Sequence, residues 1–224
     1  YKNQQVSTFV GTSFVVTNAA STEIRGLEVD LQWQATDHLK LGASFALNDG
    51  EFGSYAGAGC TVEQQSGVLG LARALGRNLL QSTDPVTSFD GCQANFRGDG
   101  VQSGSSTDRT GDKVGVDYNG SLTVNYDRPV MNGMLWMTAL DINFTDSYPM
   151  IGGTLDPAQI QDAFSKTNFR TGLKGENWAV MLYGKNVFDE ITASGSFPIP
   201  LASGAFAEYT LPGSVWGATV NYNF

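Results

Sequence analysis

The sequence predicts an all-β fold in which antiparallel strands form a transmembrane β-barrel, and three observations carry that reading. Period-2 alternation of apolar and polar residues recurs along the 224 residues, while helical periodicity is nearly absent. The last residues read Trp216-Gly-Ala-Thr-Val-Asn-Tyr-Asn-Phe, placing Trp216, Ala218, Val220, Tyr222 and Phe224 on one face of a strand. Chain ends normally fray in water, so a bulky apolar residue at the very end points to an apolar surrounding. The alternate faces carry Glu28, Asp30, Lys40, Asp117 and Asp141. A dry sandwich core accepts such charges only with partners, whereas a wet lumen accepts them freely.

The elements follow in order. An opening segment at 1–9 reads as strand. Segment 24–33 sets Leu27, Val29, Leu31 and Trp33 against Gly26, Glu28, Asp30 and Gln32. After a turn at Ala35-Thr-Asp-His, segment 39–48 alternates Leu39, Leu41, Ala43, Phe45 and Leu47 against Lys40, Gly42, Ser44, Ala46 and Asn48. The interval 50–111 is rich in Gly, Ser, Asp and Gln, with one short helix expected near Val62 to Leu75. It is too long for an ordinary connection and fits a long extracellular barrel loop. Strands resume at 114–126, with Tyr118, Leu122 and Val124 on one face, and at 134–145, with Trp136, Leu140, Ile142 and Phe144. The turn between them, Arg128-Pro-Val-Met-Asn-Gly, has suitable turn chemistry. A loop at 149–163 contains Leu155-Asp-Pro-Ala-Gln, a capping residue followed by Pro in a first helical turn. Strands 165–174 and 177–188 form a hairpin, and a loop near 190–211 precedes the final strand. The total is about eight strands, with short turns alternating with long loops, the asymmetry of an outer-membrane barrel.

Composition narrows the function. Net charge is −9 and charged residues are 16% of the chain. Without a basic patch to release counterions from phosphates, nucleic acid is not an expected partner. No stretch approaches the roughly 18 consecutive apolar residues of a spanning helix, although a barrel strand needs only about 10 alternating residues. Cys60 and Cys92 both lie in the long loop. In an oxidising compartment they are expected to pair, closing a loop worth about 3–4 kcal/mol in the chain-entropy model. The start at Tyr1 is not a signal peptide, and the chain is expected to lack an N-terminal part.

Several stretches together resemble the C-terminal part of the barrel of TonB-dependent outer-membrane receptors. Asn18-Ala-Ala-Ser-Thr-Glu-Ile-Arg-Gly-Leu-Glu-Val-Asp-Leu is similar to that family's "N-A-x…-G-x-E-x-x" strand, with Gly26 and Glu28 in place. Leu39-Lys-Leu-Gly-Ala-Ser-Phe-Ala-Leu-Asn-Asp-Gly-Glu-Phe resembles the strand that follows it. Tyr183-Gly-Lys-Asn-Val-Phe-Asp-Glu resembles the "K-N-L-F-D-E" strand end, and Phe224 completes the pattern. One departure is Pro212, which is followed by Gly-Ser-Val where the family often has an Arg.

The resemblance implies that residues 1–224 are the C-terminal eight or so strands of a barrel of about 22, without the plug domain. It implies an energy-coupled transporter in the outer membrane of a Gram-negative bacterium, not an enzyme. The substrate would be scarce: a siderophore-iron complex, a vitamin or a glycan. Implied partners are outer-membrane lipid, the TonB complex through the missing N-terminal part, and the outer-membrane assembly machinery. Trp216, Tyr222 and Phe224 match the C-terminal signal that machinery reads, by strand addition, and they also suit lipid-facing anchors. Two alternatives stay open: a complete small eight-stranded outer-membrane barrel with an adhesive or structural role, and a soluble secreted β-sandwich that binds carbohydrate.

No cofactor or catalytic constellation is expected. His38 falls in a tight turn beside Asp37, and two cysteines with one histidine make no common zinc site. Asp108, Asp112 and Asp117 are near each other, but an EF-hand register puts Lys113 where its glycine belongs. Glu28, Asp30, Lys40, Asp117, Asp141, Arg170 and Lys185 are read as lumen-facing. They suit contacts to substrate or plug, or cross-strand salt bridges that hold the wall in register, the second being favoured. In the long loop, Phe52, Tyr55, Phe89 and Phe96 are candidates to stack on a ligand.

Overall fold

The computed structural model describes residues 2–10, 13–64, 66–67, 88–89, 91–96, 102–150, 156–199 and 205–224. Eight strands make one antiparallel sheet: β1 (Lys2–Val10), β2 (Ser13–Thr36), β3 (Leu39–Ser54), β8 (Tyr118–Pro129), β9 (Leu135–Thr145), β12 (Phe164–Lys174), β13 (Trp178–Lys185) and β16 (Val215–Tyr222). Their order in the sheet is their order in the chain. Each strand pairs with the next, and β1 and β16 are the two outer members, not paired with one another. The sheet is therefore an open wall. A complete eight-stranded barrel would need β1 on β16, and β1 instead pairs only with the first part of β2, ending at Lys2 opposite Ser21.

The register keeps chemically like residues in rows. Trp33, Leu41, Val124, Leu140, Phe169, Gly184 and Trp216 follow one another across the wall. The next row on that face is Leu31, Ala43, Leu122, Ile142 and Thr167. Because a slip of one residue would exchange the faces of a strand, these unbroken rows fix the register of every pair. The row through Gly184 needs a residue without Cβ. The Trp216 ring lies 2.6 Å from where a Cβ at Gly184 would stand.

Among the described residues nothing covers the apolar face. Trp33 is 57% exposed, Leu182 57% and Val220 70%. Apart from Ala139 on β9, the buried apolar residues described, among them Phe52, Tyr55, Ala58 and Cys92, sit in or beside the connections instead. A soluble sandwich would bury its apolar sheet face against a second layer, and among the described residues no second layer lies on it. Aromatic residues bracket the band. Tyr118 and Tyr126 stand at its two ends on β8, and Trp136 and Phe144 on β9. Their separation is about 27 Å at roughly 3.4 Å per residue, or about 20 Å after a tilt of ~40°, close to the roughly 25 Å apolar band of outer-membrane barrels. At the turn end, Tyr126 meets Trp136 edge-on at 5.6 Å.

Three tight turns lie at one end of the wall. They are residues 37–38, the 130–134 turn, and 175–177. Asn132 (φ 60°) and Gly133 (φ 72°) take left-handed conformations in the second, which Asn and Gly tolerate best. The other end carries the long connections 55–117, 146–163 and 186–214. The first is not a bare loop. It contains a four-stranded sheet of β4 (Ala58–Gly59), β7 (Gln102–Thr107), β6 (Cys92–Phe96) and β5 (Ser88–Phe89), in that order. Helix is present at 62–64 and 66–67, and the rest of the expected helix lies outside the described residues. Two further ribbons, β10 (Tyr148–Pro149) with β11 (Ile160–Gln161) and β14 (Ala193–Pro198) with β15 (Phe206–Thr210), were not expected from alternation. The short helix expected at Asp156-Pro-Ala-Gln is a 3₁₀ turn, Pro157–Gln159.

Candidate functional site

Two surfaces are candidates: the polar face of the wall and the assembly of connections at its loop end. The register places Glu28, Asp30, Lys40, Asp141 and Arg170 on the face opposite the apolar rows, and the alternation of β13 places Lys185 there too. Asp117 lies just before β8, where its carbonyl accepts from the Asn48 amide at 2.8 Å. The rows on this face are hydrophilic. Asp30, Ser44, Ser121, Asn143 and Lys166 form one, with the Ser44 and Ser121 hydroxyls 2.7 Å apart.

Cross-strand salt bridges do not form among the described residues of this face. Lys40 faces Gln34 and Asn125, Asp141 faces Thr123 and Asn168, and Arg170 faces Ala139 and Tyr183. Direct neighbours are thus uncharged, so the wall is held in register by main-chain pairing and the apolar rows. Of the seven charged residues read as lumen-facing, Asp117 alone has an ion-pair partner among the described residues, Lys113 in the connection.

The loop end is tied together by side chains. Cys60 and Cys92 are disulfide-bonded, with Cα atoms 5.7 Å apart. The bond joins the residue after β4 to the first residue of β6. Directly beyond Cys60, Thr61 and Gln64 form a reciprocal capping box: the Gln64 amide donates to Thr61 Oγ1 at 3.2 Å and the Thr61 amide to Gln64 Oε1 at 2.9 Å. The Val62 amide at that helix start donates to Asp156 Oδ2 at 3.1 Å. The other oxygen of Asp156 caps the 3₁₀ turn, accepting from the Ala158 amide at 3.1 Å. One buried carboxylate thus bridges two connections. The third joins through Gln161 Oε1, which accepts from the Ala193 amide at 2.7 Å. Asp156→Ala is expected to cost about 1–2 kcal/mol locally. Amide exchange should quicken at Val62 and Ala158 and stay unchanged in β8 and β9.

Phe52 and Tyr55 do not serve as ligand-stacking residues. Their rings pack on each other at 4.9 Å beside Ala58 and Val114, and both are buried. They anchor the connection to the top of β3, where the Arg109 amide donates to the Tyr55 carbonyl at 2.9 Å. The side chains of Phe89 and Phe96 lie outside the described residues.

The three aspartates with calcium-loop spacing are each engaged by a protein partner. Asp108 accepts from the Thr110 hydroxyl at 2.6 Å and amide at 2.9 Å, Asp112 pairs with Arg109 at 2.9 Å, and Asp117 with Lys113. No group of three metal-ligating side chains occurs among the described residues. The Thr110 hydroxyl and amide bonds hold the Asp108 carboxyl below its usual pKa. A depressed carboxyl contributes stability above the unfolded value that is lost as pH falls through the folded one. The Asp108 turn should therefore outlast acidification through the ordinary carboxylate range, which the carboxyl carbon shift reports. His38 sits in the exposed turn at 37–38.

Sequence reasoning missed the work of Asn186. This buried residue follows β13 with φ 48°, a conformation Asn tolerates better than most residues. Its amide donates to Asn168 Oδ1 at 3.0 Å, its Nδ2 to the Glu190 carbonyl at 2.9 Å, and its Oδ1 accepts from the Glu190 amide at 3.0 Å. Asp189 then accepts from the Ser214 amide at 2.7 Å, next to the start of β16. A Cβ at Gly213 would stand 2.4 Å from Asp189 Oδ1, so the Gly after Pro212 has a steric reason. Asn186→Ala is expected to cost about 2–3 kcal/mol, because the Glu190 backbone groups lose their partners. The midpoint of heat-modifiable gel mobility measures it, and an unchanged midpoint would assign the turn to its backbone alone.

No family model matches the sequence and no curated protein is similar to it. Solved structures are. The siderophore receptor PiuA from Acinetobacter baumannii matches 98% of this chain with TM-score 0.53 and 15% identity. The ferric yersiniabactin uptake receptor FyuA from Yersinia pestis matches 98% with TM-score 0.47 and 12% identity. The chain spans 24% of the first and 33% of the second. The fold of this chain is thus an antiparallel β-barrel wall, like that of part of the siderophore receptor PiuA.

Proposed function

We propose that this chain forms part of the wall of a TonB-dependent transporter in the outer membrane of a Gram-negative bacterium. It takes up a scarce substrate such as a siderophore-iron complex, a vitamin or a glycan, and does no chemistry on it. The observation that carries this is the wall itself: an open antiparallel sheet, apolar and exposed on one face, polar on the other, and alike in fold to a siderophore receptor over 98% of its length. Coupling to the TonB complex belongs to the same proposal, as does substrate entry at the loop end, where connections meet on a rigid scaffold.

Deletion of the gene tests it. Uptake of labelled ferric siderophores, cobalamin and oligosaccharides is compared in strains with and without the gene and with and without TonB. Loss of one uptake, to the level of the TonB-less strain, is the expected result. Unchanged uptake of all of them would remove the transport reading.

Trp216, Tyr222 and Phe224 are proposed as the assembly signal on β16. All are exposed on the apolar face or beyond it, and the Tyr222 and Phe224 rings meet at 5.1 Å. Deleting Phe224 should lower the outer-membrane level of the protein more than a deletion within the long connection does. Equal levels would reduce these residues to lipid anchors.

A further inference from the structure

Cations collect on one part of the polar face. On β12 this face carries Lys166, Asn168, Arg170, Gly172 and Lys174, and on β13 Ala179, Met181, Tyr183 and Lys185. On β16 it carries Val215, Gly217, Thr219 and Asn221. Four cations and no carboxylate therefore share these three strands, in a chain of net charge −9. The nearest acid in the register is Asp141 on β9, opposite Asn168. Of the other described cations, Arg25, Arg109 and Lys113 are each paired with a carboxylate, whereas Lys40 and Arg128 are not. The four of β12 and β13 are in no ion pair among the described residues. Lys166 donates to Thr192 Oγ1 at 2.6 Å, and the Lys185 ammonium lies 6.0 Å from the Tyr183 ring centre.

Their positions make a line. Lys166 is near the loop end of β12 and Lys174 is its last residue at the turn end, about 27 Å away at roughly 3.4 Å per residue. Arg170 lies between them, opposite Tyr183, so Lys185 is its diagonal neighbour, about 7–8 Å away between backbones. Two long side chains at that spacing can converge on one oxyanion. Arg170 and Lys185 are themselves exposed, although their small neighbours are covered: Ala139 is buried, the Met181 side chain lies over Gly172 and the Tyr183 ring over Gly217. Rows of Lys and Arg along a wet pore wall favour anions, because each cation replaces part of the hydration the solute sheds.

We propose that the polar face of β12 and β13 is a cationic track that holds a multiply charged oxyanionic solute at Arg170 and Lys185. Lys166 meets the solute on the loop side and Lys174 on the turn side. The inference rests on the transporter reading only in that this face lines a lumen.

The test uses the full protein expressed from its own gene, in detergent, with the trisulfonate dye pyranine as probe and fluorescence anisotropy as readout. Saturable binding is expected, weakening as salt rises from about 50 to about 500 mM, where screening shortens to a few ångströms. The double variant R170Q/K185Q should bind about tenfold more weakly or worse, by loss of two charge-assisted contacts. R25Q, which removes a cation outside the track, should bind as the natural protein does. K174Q should show the same direction with a smaller effect, which keeps the proposal open to refutation where the double variant fails to assemble. No binding by the natural protein, as when an acidic polypeptide segment already covers the track, overturns the proposal. So does equal binding by R25Q, K174Q and R170Q/K185Q. Uptake in the gene-deletion strain decides the transport reading separately, since dye binding needs no knowledge of the natural substrate.

Discussion

Leu122→Arg should destabilise the protein by about 2–4 kcal/mol, the penalty for a cation near the middle of a lipid-facing barrel strand. Leu122 lies midway between Tyr118 and Tyr126 on the apolar face of β8 and is 46% exposed with no protein layer over it. Thr123→Arg, one residue along, points to the polar face, where its row neighbours are Gly42 and Asp141. That second change should cost little. The pair is measured by refolding into lipid vesicles and titrating with urea, with gel mobility reporting the folded fraction. Equal effects of the two substitutions would mean that the apolar face does not meet lipid. In water the exposed leucine would tolerate arginine, so the experiment separates a lipid-facing wall from any soluble sheet.

Replacing both Cys60 and Cys92 by Ser should remove about 3–4 kcal/mol from the loop-end sheet in the chain-entropy model, while leaving the wall intact. The bond closes a sequence separation of 32 and links β4 to β6, with β7 hydrogen-bonded between those two strands. None of the main-chain pairs of the eight-stranded sheet runs through it. Limited proteolysis should therefore cut within 55–117 in the variant and leave the eight-stranded wall with its normal gel mobility. A fall in the unfolding midpoint of the wall itself would show instead that the loop-end sheet and the barrel unfold together. The link through Asp156 predicts a smaller second effect: protection at Ala158 should weaken when the disulfide is absent, because Val62 lies two residues from Cys60.

Much of the wall is legible in the sequence because its determinant is local. In a strand with one apolar face, the alternation of Leu39 to Leu47 or of Trp136 to Phe144 states which face is which, and the pairing that matches the faces is then nearly unique. Strand ends are less legible. The pattern at 24–33 predicts ten residues, yet β2 runs from Ser13 to Thr36. Outside the apolar band nothing penalises a mixed face, so main-chain pairing continues without alternation. The same holds for Gln102–Thr107, a Gln, Ser, Gly and Thr stretch that becomes a strand because β4 and β6 pair on its two edges.

The sequence by itself determined the all-β class, the two faces of the wall, the short-turn and long-loop ends, and the charged residues of the polar face. Each depends on neighbours one or two residues apart, which the period of a strand makes visible. The tertiary structure alone decided which side chains meet. It turned Phe52 and Tyr55 inward against each other, left the wall charges without cross-strand partners, and set Lys185 diagonal to Arg170. It also gave Asp156 and Asn186 their connections, since their partners at Val62 and Asn168 are remote in the chain. Such contacts depend on how connections fold back over the wall, and that path is chosen by the sum of packing and hydrogen bonding across the whole molecule.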